Sequence, residues 1–270
     1  MPYSADATKI LTRTELQSVL AELRRKAPSS KNTRLNLVIF RLSACCGLRA
    51  SEIAQLQMSD VRVEMPRPHI RIRVGASKGG RSRRVPLWWD GGTLADLAAW
   101  RADRAAHGAT GGDPFVASLQ AGREALVFSR HTLRKRFRTA CRVLGKERLQ
   151  SLTIHHGRHT FISHALAGGR TLAEVRDAAG HSNVTITSGY LHVAVEGSEV
   201  GTLFGSSVGG SCQSNAQAMR LRDWNRSFSV IKLRPFDELW ISNQPLQCMA
   251  RRLCVTRNSA PVTGAAVAHA

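Results

Sequence analysis

Acidic residues are scarce in this chain: 19 Asp and Glu stand against 39 Lys and Arg over 270 residues, a formal net charge of +20. That imbalance is out of place in an ordinary enzyme of small molecules and points to a polyanionic partner. Aromatic side chains are scarce too, at 6% with only two tyrosines, which makes stacking on single-stranded bases a poor candidate for the main mode of binding and favours duplex phosphate. No apolar run approaches the roughly 18 residues that span a bilayer, and the N-terminal MPYSADATKILTR lacks the basic-then-apolar order of a signal peptide. The expectation is an intracellular protein with no membrane partner. Six cysteines (Cys45, Cys46, Cys141, Cys212, Cys248, Cys254) form no CxxC pair and have no metal-ligand spacing to the ten histidines. Buried thiols are expected, with no metal and no cofactor.

What is present suffices for a packed core, since 43% of the residues are hydrophobic. Up to Val195 the sequence alternates capped, periodic segments. From about Gly197 it turns to GSEVGTLFGSSVGGSCQSN, a composition typical of linkers, and then to a tail without sustained period. A domain over 1–196 and a linker with a poorly defined tail over 197–270 are therefore expected. In the first segment, Thr12 and Glu15 open a helix through about Arg25, with Leu16, Val19, Leu20 and Leu23 on one face. Leu35 to Cys46 reads as a buried helix ending at Gly47. Val61–Glu64, Ile70–Val74 and Arg83–Leu87 read as a small antiparallel sheet, with the Gly79-Gly80 pair as a turn. Helices are expected again over Leu94–Ala106, Thr132–Leu144, Ile154–Ala167 and Leu172–Ala179, the last capped by Thr171 with Glu174 and stopped by Gly180. The fold class is α+β, mostly helical, with one three-stranded sheet.

The positive charge is concentrated. Residues 61–84 hold eight Lys or Arg and one acid, and residues 130–148 hold another eight and one acid. Arg71 and Arg73 share one strand face and Arg134 and Arg138 one helix face, the arrangement that contacts along a duplex require. With Arg81 and Arg83 on the hairpin, these are the candidate DNA-binding residues; a solvated basic face is the plain alternative.

Three short segments carry chemistry. The first is Gly47-Leu-Arg-Ala-Ser-Glu, in which Arg49 and Glu52 would alone be a helical salt bridge. The second is Ser77-Lys-Gly-Gly-Arg-Ser-Arg-Arg-Val-Pro-Leu, in which Lys78 stands at a hairpin turn. The third, IHHGRHTFISHALAGGRTLAEVRDAAGHSNVTITSGYLHV, sets His155 three residues before Arg158, places His181 after a helix stop and brings Tyr190 nine residues later. Neighbouring His156 fits a plain helix-start role, and His164 and His192 read as structural or surface residues.

Over about residues 10–195 the chain resembles the catalytic domain of the tyrosine recombinases, the phage-integrase family of site-specific DNA recombinases. The family pattern falls on Arg49, Lys78, His155, Arg158, His181 and Tyr190, in order and at plausible spacings, with Asp60 and Arg83 in matching settings. Glu52 and His159 match supporting positions. The resemblance implies an integrase-like catalytic core, a metal-independent DNA strand-transferase, double-stranded DNA as partner and a homotetramer on paired sites at the nucleoid in the cytoplasm. It also implies a 3'-phosphotyrosyl intermediate.

Elementary chemistry assigns compatible roles. A tyrosine ester of phosphate conserves the energy of the broken phosphodiester, and Tyr190 is the only tyrosine outside the N-terminal tip. Two arginine forks, Arg49 and Arg158, suit the nonbridging oxygens, with His181 as a further donor. Lys78 is placed to protonate the leaving 5'-oxygen, with Arg81 and Arg83 as competitors, and His155 to manage the tyrosine proton. A type IB topoisomerase-like enzyme and a catalytically silent DNA-binding module are the competing readings. The family usually carries an N-terminal DNA-binding domain, whereas the first helix here is expected to open at Thr12, so that half of the clamp is expected to be missing.

Overall fold

The computed structural model describes residues 7–76, 82–118 and 126–191. The expected linker and tail over 197–270, Lys78 and Arg81 with the Gly79-Gly80 turn, His192, and Cys212, Cys248 and Cys254 lie outside the described residues. Among those described, no helix is long and apolar enough to cross a membrane.

Helix α1 (Arg13–Lys26) opens at the expected capping box, with Thr12 and Glu15 each bonding the other's backbone N–H, and it buries Leu16, Val19, Leu20 and Leu23. Helix α2 spans Lys31–Phe40 and passes into a π turn at Arg41–Cys45. It starts earlier than the apolar pattern implied because its first turn is polar and is capped by Ser30, which accepts from Thr33 N–H. Arg41 in the π turn is buried and ion-paired to Asp90 at 3.0 Å and Asp96 at 2.7 Å, which pins the turn to the start of the helix over Gly91–Ala106. Helices α3 (Ala50–Ala54), α4 (Gly91–Ala106), α5 (Arg130–Ala140), α6 (Gly145–Ser151), α7 (Ile154–Ala167), α8 (Leu172–Ala179) and α9 (Val184–Ser188) follow among the described residues. The helix expected through Leu144 is α-helical only to Ala140 and tightens into a 3-10 turn at Cys141–Leu144.

Strands β1 (Val61–Arg62), β2 (His69–Ile72) and β3 (Arg83–Pro86) form the antiparallel sheet in the order β1-β2-β3. Ile70 faces Val61 on one side and Val85 on the other, and all three are buried. Alternation turns the paired Arg71 and Arg84 to solvent. The strands are shorter than expected because only these residues find ladder partners. Cys45, Cys46 and Cys141 are buried free thiols, as their apolar settings implied.

The cores meet along α7. One apolar cluster joins α1, α2, α4, α5 and the sheet, and a second gathers Ile10, Trp89, Phe161, Ile162, Val175 and Tyr190. α7 approaches the π turn closely: Ser43 Oγ donates to Ile154 O at 2.9 Å, and a Cβ on Gly157 would lie 2.2 Å from Ser43 Oγ. Gly47 has φ +66°, and a Cβ there would come within 2.4 Å of Phe161 Cδ1. Gly47→Ala is expected to cost about 2–5 kcal/mol, from left-handed backbone strain of about 1–2 and overpacking of about 1–3. Urea denaturation measures it, and a loss under about 0.5 kcal/mol would show that the turn and Phe161 yield freely.

Candidate active site

The break at Gly47 ends the π turn and delivers Arg49 as the N-cap of α3. Its backbone N–H bonds Glu52 Oε2 at 2.8 Å, and its Nη1 bonds Glu52 Oε1 at 3.0 Å. Glu52 is fully buried and is gripped from the sheet as well: Arg83 Nη1 and Nη2 reach Oε1 and Oε2, both at 2.7 Å. Burial alone would raise the Glu52 carboxyl, but the Arg83 fork and Arg49 hold it below its ordinary value. Arg83, expected among the DNA-binding residues, faces this carboxylate with its side chain only 8% exposed. Its Nε is engaged as well, on Ala178 O of α8.

Helix α7 supplies the second arginine. Arg158 is buried, with Nη1 on Gly47 O at 2.7 Å and Nη2 on Ala179 O at 2.5 Å. Burial and then the like charge of Arg49 push its guanidinium down to about 9, which leaves it charged at neutral pH. Arg49 Nη2 lies 3.4 Å from Gly180 O, and Arg83 Nε 2.9 Å from Ala178 O. Three guanidiniums thus meet three successive carbonyls at the C-terminal end of α8, where a helix has unpaired acceptors and the negative end of its dipole. Gly180, in the left-handed region at φ +70°, closes the helix and turns the chain into His181.

The histidines differ in station. His181 Nδ1 bonds Thr187 Oγ1 at 2.9 Å, and burial with Arg158 and Arg49 pushes its ring down to about 3. His159 Nδ1 lies 2.6 Å from the Tyr190 hydroxyl, with the two rings 5.6 Å apart. Burial, His156 and His155 push His159 down to about 4, so it is neutral near pH 7 and able to accept the tyrosine proton. This hydrogen bond falls to a residue that the sequence reading kept as supporting, whereas His155 stands at the surface in the first turn of α7, held low by partial desolvation of its ring and by the Arg134 charge. His156 takes the helix-start role, its ring accepting from Thr153 N–H. His164 is buried, bonded to Leu11 O. Tyr190 follows α9 with its side chain buried in the second cluster.

Arg134 and Arg138 are exposed on α5 and line a groove of about 630 Å³ with His131, Lys135, Arg142 and Thr153. The Arg134 charge reaches His155, so this basic groove borders the cluster. Arg71 and Arg73 share a face as expected, but both are tied to Asp60, at 3.5 and 3.0 Å, and Arg73 also donates to Gln55 O. The structure therefore brings Arg49, Glu52, Arg158, His159, His181 and Tyr190 together with Arg83. Two contributors had no sequence signal: Thr187, and the carbonyls of Ala178 to Gly180. Among the described residues no group of three or more His, Cys, Asp or Glu is placed to hold a metal ion.

A mostly helical core with a small antiparallel sheet is the architecture of tyrosine recombinase catalytic domains: the crystal structure of a XerA recombinase superposes with a TM-score of 0.54 at 22% identity, over 69% of this chain and 60% of that one. The phage integrase family matches residues 9–196. This chain belongs to that family. The tyrosine recombinase XerC of Rhodospirillum centenum is 33% identical over 160 residues, covering 58% of this chain and 42% of that protein. XerA of Thermococcus onnurineus is 30% identical over 194 residues, covering 70% and 59%. The chain spans about half the length of the curated relatives it matches. The family and the fold class read from the sequence thus both hold.

Proposed function

We propose that this chain carries the catalytic domain, within residues 1–196, of a site-specific DNA recombinase or integrase that cuts and rejoins duplex DNA through a 3'-phosphotyrosyl link. The observation that carries the reading is the Tyr190 hydroxyl on His159 Nδ1 at 2.6 Å, one residue along α7 from Arg158, whose guanidinium shares the α8 terminus with Arg49. In the reaction the Tyr190 oxygen forms a bond to phosphorus as its proton passes to His159. The bond to the 5'-oxygen breaks, and Lys78 protonates that oxygen. Arg49 and Arg158, aided by His181, leave their carbonyl partners for the nonbridging oxygens, where guanidinium forks stabilise the added charge without requiring a metal. Reversal with a 5'-hydroxyl from another duplex releases Tyr190 and completes strand transfer. The partner is double-stranded DNA, and four copies assemble on paired sites. The similarity to recombinases named XerC and XerA supports this reading over simple relaxation.

A pool of nicked duplexes of random sequence tests it. Adducts that survive denaturation, with EDTA present, should carry recurring sequences on either side of the attachment point. Adducts without any shared sequence, together with relaxation of supercoiled plasmid, would favour a topoisomerase-like enzyme, and no adduct at all would favour a silent binding module.

Binding should be strongly salt-dependent. Log affinity against log salt is expected to fall with a slope of about 0.9 per phosphate contact, and Arg134→Ala or Arg138→Ala to flatten it by about one each. Fluorescence anisotropy at several salt concentrations gives the slopes. Unchanged slopes in both variants would remove the α5 groove from the DNA interface.

A further inference from the structure

Of the three arginines at the end of α8, the one with no part in the proposed reaction is the most firmly held. Arg83 Nε bonds Ala178 O at 2.9 Å and its two terminal nitrogens hold both oxygens of Glu52. Its stem is closely packed: a Cβ on Gly180 would meet Arg83 Cδ at 2.7 Å. Arg49 is held more loosely, 23% exposed and 3.4 Å from its carbonyl. Glu52 is the shared element, and Arg49 contacts it only from three residues away in the same turn. Arg49 meets both carboxylate oxygens from within its own turn, and the planar Arg83 fork, arriving from another element at shorter distances, braces the same two oxygens from outside that turn. Arg83 is also the first residue of β3.

Resting on the strand-transfer reading above, we propose that Arg83 is a positioning residue: through Glu52 it sets the guanidinium of Arg49. The claim separates it from a phosphate contact, which would act on DNA directly, and from a packing residue, whose loss would act on the whole fold.

Arg83→Lys keeps the charge and loses the fork. On a duplex recovered from the random pool, its single-turnover cleavage is expected to fall about 10²-fold, the scale of a misplacement near 1 Å. Its DNA affinity should stay within about 3-fold and its salt slope should not change. The decisive reading is a double-mutant cycle with Arg49→Ala: once Arg49 is gone, Arg83→Lys should cost less than about 3-fold more, since its route to the phosphate has been removed. Should Arg83→Lys fail to fold by circular dichroism, Glu52→Gln replaces it in the same cycle, with the same expected non-additivity. Losses that multiply across the cycle, a salt slope flattened by about one, or cleavage at the unsubstituted rate would each overturn the proposal while leaving the strand-transfer reading intact. No adduct from the unsubstituted chain would sink that reading and this proposal with it.

Discussion

Tyr190→Phe is expected to abolish covalent attachment to DNA, with adduct formation falling on the order of 10⁴-fold or more, because no other group can take over the ester bond to phosphorus. Duplex affinity should stay within about 3-fold, since the lost hydroxyl is directed at His159 and its share in a multi-phosphate interface is small. Folding stability should drop by about 1 kcal/mol, the worth of one neutral hydrogen bond. His159→Ala is the informative contrast. It removes the proton acceptor but leaves the nucleophile, so cleavage should fall only about 10²–10⁴-fold. His159 is pushed down to about 4, so cleavage should show no His159-dependent fall between pH 6 and 8 and should lose that base only as the pH approaches 4. A denaturing gel of the nicked-duplex reaction reports each variant. Persistent adduct with Tyr190→Phe would show that the wrong nucleophile has been chosen.

The parts of this site that are legible in the sequence are those fixed locally. α7 and α8 span the predicted residues, and α8 does so because Thr171 with Glu174 and the glycine at 180 are chain-local signals acting within one turn. α3, α6 and α9, at five, seven and five residues, are too short to show a period, and none was expected. Side-chain destinations are less legible still. Arg83 reads as one more basic hairpin residue until β3 is seen against α3 and α8, because its partners Glu52 and Ala178 stand 31 and 95 positions away. The exchange of His155 for His159 at the tyrosine has the same origin. His155 and His159 stand four positions apart, on one face of α7 and about one turn from each other along its axis, and which one meets Tyr190 depends on where α9 delivers the chain.

Replacing the leaving 5'-oxygen by sulfur is expected to separate the general acid from the arginine clamp. A thiolate leaves without taking a proton, so the loss caused by Lys78→Ala, about 10²–10⁴-fold on the oxygen substrate, should shrink to within about 10-fold on a 5'-bridging phosphorothiolate. Arg158→Ala should lose at least about 10²–10³-fold on both substrates, because charge on the nonbridging oxygens has to be held whichever atom leaves. Arg158 also has a structural cost to be counted separately: without it the carbonyls of Gly47 and Ala179 lose a donor each, at about 1–3 kcal/mol apiece if no water replaces it. Denaturation midpoints therefore accompany the rates, and single-turnover cleavage is compared well below the lower midpoint. Arg49→Ala carries less of that burden, since its guanidinium is partly exposed and its carbonyl contact is long, and it should be just as insensitive to sulfur. Sulfur rescue of Arg49→Ala or Arg158→Ala but not of Lys78→Ala would reverse the assignment. Rescue of none of the three would move the proton source to Arg81 or to a water, since Arg83 is already committed to Glu52.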